Sequence, residues 1–277
     1  MTEVVLDKSY LEAASPEAIG RLCDTHTALM SDVLFYELMT TRDESRQKCF
    51  SRLPDKPNPV TLIPNVGFLL RFERENRIPC VPLFQRRLDM TYVFNRKLRK
   101  GNFNFEGEVL ETVQAQTQVV ETGVKEFIDR CMLVHQFFPE LNGIPCRDFQ
   151  GAIEAARRKI ASNASFVREI YASFLTEEAP SDSLDPALLD EQWAWFRWVQ
   201  CHILSALRIF VKHNGQVPEN AGPRFWTRAE HSMNDVDYVI HGALAGGIAS
   251  DDREPLDDFL LVRPDGLRFA VRVRVDG

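Results

Sequence analysis

The sequence predicts an α/β protein whose mostly parallel sheet is assembled from both ends of the chain, with a large helical middle between them. Three observations carry this. Short apolar runs alternate with helix-spaced segments near the start. The same rhythm returns near the end. The long central stretch shows helical spacing almost throughout. Parallel strands need helical crossovers, so a strand–helix rhythm favours a parallel sheet.

Val4-Val5-Leu6 reads as a buried strand whose C-terminal end carries Asp7. Residues 9–25 follow with helical spacing, and Ser15-Pro16-Glu17 has the pattern of an N-cap with proline at the first helical position. Ala28-Leu29-Met30 is a second apolar run. Ser31 and Asp32 can cap the next helix, DVLFYELMTT, which carries Glu37. From 42 to 105, prolines break the chain into short pieces, with a strand expected around 60–63 and a helix around 66–76.

Residues 106–138 predict one long helix and 148–175 another, separated by a loop at 180–185 from a helix opening at Asp185-Pro186. Asn214-Gly215 closes that last helix. Asn234-Asp235 can cap a helix running VDYVIHGALAGG. Ile248-Ala249-Ser250 is a short strand ending at Asp251 and Asp252, and Leu260-Leu261-Val262 is another strand candidate. Residues 268–275 alternate as an edge strand would, after the Pro264-Asp265-Gly266 turn. The chain reads as a single domain over 1–277, its core from about 1–80 and 215–277, with about 85–213 as a helical elaboration.

The chain has 277 residues and a net charge of −7, which argues against coating nucleic acid by bulk charge. No apolar run approaches the roughly 20 residues of a membrane span, and no basic segment leading into an apolar stretch opens the chain. No C-x-x-C pair occurs among the six cysteines. The expectation is a cytoplasmic protein with reduced, partly buried thiols and no membrane partner. The histidines lack H-x-x-x-H spacing. G-x-S-x-G, Walker A and G-x-G-x-x-G patterns are absent. A haloacid dehalogenase-type phosphatase would want a second Asp two residues after Asp7, where Ser9 stands.

Acids at strand ends are the more informative feature, because ligands of open parallel sheets bind at that edge. Asp7 follows the first strand and Asp251 and Asp252 follow the IAS strand, Asp235 and Asp237 lie in the first turn of the helix before that strand, and Glu37 lies on the second helix. Converging carboxylates repel one another, and divalent cations with hard oxygen ligands relieve this. Each also has a structural reading: Asp235 as a helix cap, Asp237 as a first-turn acid, Asp251 as a turn former, Glu37 as a solvated helix residue.

The segments VVLDKSYL and NDVDYVIHGALAGGIASDDR, with SDVLFYELMTT between, resemble the signature regions of PIN-like nuclease domains. The resemblance covers roughly residues 1–41 and 230–263. It implies a three-layer PIN-like fold with Asp7, Glu37, Asp237 and Asp252 as catalytic, metal-binding acids, Asp235 as a further ligand, and Ser9 and Asp251 in support. It implies Mg²⁺ or Mn²⁺ as cofactor and hydrolysis of nucleic acid phosphodiester bonds, RNA ahead of DNA, with an endoribonuclease as the foremost reading. It allows a homodimer and an inhibitory protein partner. Lys8 departs from the Ser or Thr usual at that position, and the middle is longer than in a minimal PIN-like domain.

The segment QRRLDMTYVFNRKLRKGNFNF, residues 85–105, interleaves cations with rings, and Arg96, Lys97, Arg99 and Lys100 are its candidate phosphate contacts. Its aromatics could equally belong to the core. WAWFRWVQ, 193–200, reads as core or a dimer contact. The alternative function is a non-catalytic PIN-like module that binds RNA or a protein.

Overall fold

The computed structural model describes residues 2–100, 103–141, 149–175, 183–213 and 215–272. A five-stranded, all-parallel sheet occupies the centre, in the order β3-β2-β1-β4-β5. The strands are β1 (Glu3–Leu6), β2 (Thr27–Ser31), β3 (Thr61–Ile63), β4 (Gly247–Ala249) and β5 (Leu267–Phe269). The two central strands come from opposite ends of the chain: Val5 pairs with Leu29 on one side and Ile248 on the other. Val4, Val5, Leu6, Ile248 and Ala249 are wholly buried, as continuous apolar strands between helices must be.

Between β1 and β2 lie α1 (Lys8–Ala13) and α2 (Pro16–Thr25); between β2 and β3 lie α3 (Asp32–Thr40) and α4 (Asp43–Arg52). The stretch 9–25 is thus two helices, because Ser15 caps the second through the Ala18 amide and Pro16 cannot continue the first. Ser31 caps α3 through the Leu34 amide, as its sequence predicts. After β3 come α5 (Val66–Asn76), α6 (Glu108–Met132), α7 (Phe149–Ser162), α8 (Ala164–Ser173), α9 (Ala194–Lys212) and α10 (Pro223–Ala245). α11 (Arg253–Val262) links β4 to β5. The order runs outward from β1 in both directions, so right-handed crossovers put the β1–β2 helices and α10 on opposite faces. This is compatible with a three-layer α/β fold.

Several expectations need correction. Leu260-Leu261-Val262 is helical, because Leu256, Phe259 and Val262 recur every third residue and are buried on one face of α11. Asn163 splits 148–175 by capping α8 through the Phe166 amide. Asp185-Pro186 opens only a single 3-10 turn, and α9 begins at Ala194. α10 starts at Pro223, eleven residues before Asn234, so Asn234 and Asp235 lie inside it and cap nothing. The alternating strand expected over 268–275 is shorter: β5 ends at Phe269 and residues 270–272 are not strand, while 273–275 lie outside the described residues, as does Asn214. Gly215 does close α9, at φ +72° with its amide donating to the Phe210 carbonyl.

α9 is the hub of the helical middle. Trp193, Phe196, Val199, Ile203, Leu204 and Leu207 are buried, so WAWFRWVQ is core. Glu73 on α5 is wholly buried and accepts from the amides of Cys80, Ala194 and Trp195, tying α5 to the start of α9. Asp258 on α11 pairs with Arg157 of α7 and Arg208 of α9. Cys49, Cys80, Cys131 and Cys201 are buried free thiols. Among the described residues no helix is long and apolar enough to cross a membrane.

Candidate functional site

Strand order reverses between β1 and β4, and the C-terminal ends of these neighbours open a crevice there, the usual ligand position of an open parallel sheet. A pocket of about 200 Å³ fills it. Asp7, Glu37, Asp235 and Asp252 line it, with Lys8 and Tyr238 beside them.

Asp7 follows β1 directly; its amide continues the sheet by donating to the Ala249 carbonyl at 2.9 Å. Its carboxylate caps α1, accepting from the Ser9 amide at 3.2 Å and the Ser9 hydroxyl at 2.6 Å. The Ser250 hydroxyl, at the end of β4, donates to the same carboxylate. Serines from the two chain ends therefore hold one acid. Asp7 is only 3% exposed, and this desolvation raises its pKa to about 6; the Ser250 and Ser9 hydroxyls oppose the rise, while the charge of Glu37 adds to it.

Glu37 reaches in from α3. Its Oε1 lies 3.2 Å from Lys8 Nζ, and its Oε2 accepts from the Tyr238 hydroxyl at 2.6 Å. Asp235 comes from α10. Desolvation first, then the charges of Asp7 and Asp252, push its carboxyl well above the usual range. Asp252 stands at the start of α11 with its amide on the Ser250 hydroxyl at 3.2 Å. Burial and the neighbouring Asp251 raise its pKa.

Asp237 does not join them. Its Oδ1 accepts from the Val66 amide at 3.3 Å and its Oδ2 lies 3.1 Å from His241 Nδ1. It lines a separate cavity of about 580 Å³ between α3, α5, α6, α9 and α10. The cause is helical phase: with α10 beginning at Pro223, Asp235 and Asp237 are about 200° apart on its circumference. The face that carries Asp235 also carries His231 and Tyr238, at helical spacings of four and three. Asp251 also turns away. It is buried, accepts from the Val271 and Arg272 amides at 2.9 and 2.7 Å, and pairs with the Arg272 side chain.

In kind, the five oxygen-donor acids around one small pocket, Glu12 among them, suit a hard divalent ion. In arrangement they are looser: among the described residues no group of three or more His, Cys, Asp or Glu stands ready to hold a metal ion.

The basic segment is only partly available. Tyr92, Phe94, Phe103 and Phe105 pack against the core, and the Phe94 ring lies 5.1 Å from Phe50 and 5.2 Å from Tyr92. These rings are structural, not stacking platforms. Arg99 donates to the Leu53 and Pro54 carbonyls, both at 3.2 Å. Arg96 is 83% exposed and 3.8 Å from Asp55; Lys97 and Lys100 are exposed.

Sequence reasoning missed Tyr238 and Ser250 as site residues. Tyr238 could be found from its i+3 spacing to Asp235, and Ser250 from its place at the end of a central strand. Comparison of the chain with protein families, curated proteins and solved structures gives no match.

Proposed function

We propose that the protein is a PIN-like, divalent-metal-dependent nuclease, foremost an endoribonuclease. One observation carries the reading: Asp7, Glu37, Asp235 and Asp252, from both ends of the chain, share one pocket where strand order reverses. Few other uses explain so many poorly solvated acids on a functional edge.

Mg²⁺ or Mn²⁺, when bound, would lower the pKa of a water and offset the charge of a phosphodiester under attack. Asp7, Asp235, Asp252 and Glu37 are the oxygen donors present to hold it. The Ser9 and Ser250 hydroxyls both donate to Asp7 Oδ2 and the Ser9 amide donates to Oδ1, so the orientation of the carboxylate does not depend on a ligand. Tyr238 and Lys8 fix Glu37. Arg96, Lys97 and Lys100 offer phosphate contacts on the exposed surface. The mechanism needs no side-chain nucleophile.

Asp7→Asn tests the reading. It is expected to abolish Mg²⁺- or Mn²⁺-dependent cleavage of RNA and single-stranded DNA with the fold intact; undiminished cleavage by this variant would refute the assignment.

A second reading, a non-catalytic module that binds RNA or a protein, draws support from the pairing of Glu37 with Lys8 and the lack of a ready-made metal group among the described residues. RNA binding by the wild type without cleavage in either metal would favour it.

A further inference from the structure

A pocket of about 270 Å³ lies between the end of α9 and the start of α10. Lys212 and His213 border it from α9, and Arg224, Arg228 and Ser232, spaced every four residues, border it from one face of α10. Phe225, Ile128 and Ile209 make its wall apolar. Among the described residues no acid lines it, and Lys212, Arg224 and Arg228 make no ion pair and no side-chain hydrogen bond. The chain has 40 acidic to 33 basic residues, so acidic partners are not scarce. Three permanent like charges around one small pocket repel one another until an anion enters. His213 registers that field: burial first, and then the Lys212 charge, hold its pKa below the usual 6.5.

Three cations call for more than one negative charge, which a phosphate monoester or successive phosphodiesters carry. Guanidinium forks match phosphate oxygens in pairs. The partly exposed Phe225 ring offers an apolar surface beside them, which a bare anion would leave unused. We propose that this pocket binds a nucleotide by its phosphate, with Lys212, Arg224 and Arg228 on the phosphate oxygens and Phe225 beside the sugar or base. The site lies outside the acidic pocket, and nucleotide binding there does not depend on the nuclease reading. Arg228 and Asp235 stand seven residues apart on α10, a rise of about 10 Å along nearly the same stripe. On the nuclease reading, a strand held at Arg228 runs toward the acidic pocket, so the expected source is one unit of a strand, not a free nucleotide.

The test titrates the full chain, with metals chelated, against adenosine 5′-monophosphate, adenosine, inorganic phosphate and a labelled single-stranded RNA. Calorimetry reads the small ligands and fluorescence anisotropy the RNA. The monophosphate is expected to bind more tightly than adenosine or phosphate, and to raise the His213 pKa, as followed by NMR. Arg224→Gln and Arg228→Gln, both at exposed positions, are each expected to weaken it about tenfold or more. Unchanged affinity in both variants, or adenosine or phosphate binding as tightly as the monophosphate, would overturn the proposal. RNA is expected to bind more tightly still and to weaken in the same variants; RNA indifferent to them while the monophosphate responds would support the site and overturn the strand as its source. Because no metal is present, a wild type that cleaves nothing would sink the nuclease reading and leave this site standing.

Discussion

Asp235 and Asp237 lie two positions apart on one helix, yet Asp235 faces the acidic pocket at the sheet edge and Asp237 faces His241 in a separate cavity. The consequences of exchanging each acid should differ in kind. Asp235 belongs to the site, and Asp237 to the packing of α10 against the Pro64–Val66 turn.

Asp7→Asn should do two things at once. With the carboxylate gone, metal-dependent cleavage is lost. Because burial raises the Asp7 pKa to about 6 from 3.8, its ionised form destabilises the metal-free fold at neutral pH. Removing that charge is expected to stabilise the metal-free protein by about 1–3 kcal/mol at pH 7.5, measured by urea denaturation in a chelator.

Mn²⁺ affinity should fall as pH drops through about 6, since a metal ligand must be deprotonated and Asp7 gains its proton there. Ser250→Ala removes a hydroxyl that favours the ionised form, so the fall is expected at higher pH than in the wild type. Mn²⁺ titrations between pH 5 and 8 check the midpoint.

His241 is fully buried, with Nδ1 2.9 Å from the Asp237 carbonyl and Nε2 3.0 Å from the Pro64 carbonyl. Two carbonyl partners call for two N–H donors. Desolvation opposes the charge, but Asp237 and these carbonyls outweigh it and hold the pKa above 6.5. The stability His241 contributes is therefore full below pH 6.5 and lost as pH rises through the higher folded value. His241→Phe is expected to cost about 3–5 kcal/mol at pH 6 by stranding Asp237, and less at pH 8.5, as measured by denaturant titration at both.

Glu73→Ala would leave the amides of Cys80, Ala194 and Trp195 without their acceptor in a dry interior. A loss of about 3 kcal/mol or more is expected, with Glu73→Gln milder because one acceptor oxygen survives. Urea midpoints of the two variants provide the comparison.

Reversing Arg96 and Lys97 to Glu should weaken RNA binding and flatten its salt dependence by about 0.7 in slope for each phosphate no longer neutralised. Arg99 is left in place because it holds the Leu53 and Pro54 carbonyls. Fluorescence anisotropy over a salt series gives the slope.

β1, β2 and β4 were legible because they are short apolar runs with an acid or a serine at their ends, a local signal. The phase of α10 was not. Asn234-Asp235 has the composition of a cap, which hid the helix running back to Pro223; and which face of α10 meets the sheet edge, the face of His231, Asp235 and Tyr238, is set by tertiary packing that the local sequence does not show. Leu260-Leu261-Val262 misled for a related reason: three consecutive apolar residues fit a strand, but burial at every third position belongs to a helix. Glu73 gave no signal, because a carboxylate that serves distant backbone amides has no sequence pattern.

Because β4 is the immediate neighbour of β1, the founding strand waits for a partner more than 240 positions downstream. A chain still emerging from the ribosome can fold β1 against β2, but Ser250 and Asp252 do not yet exist to complete the crevice. Synthesis itself therefore acts as a timer: the acidic pocket forms only once β4 and the residues just after it have been made, and no shortened product ending before β4 can carry it.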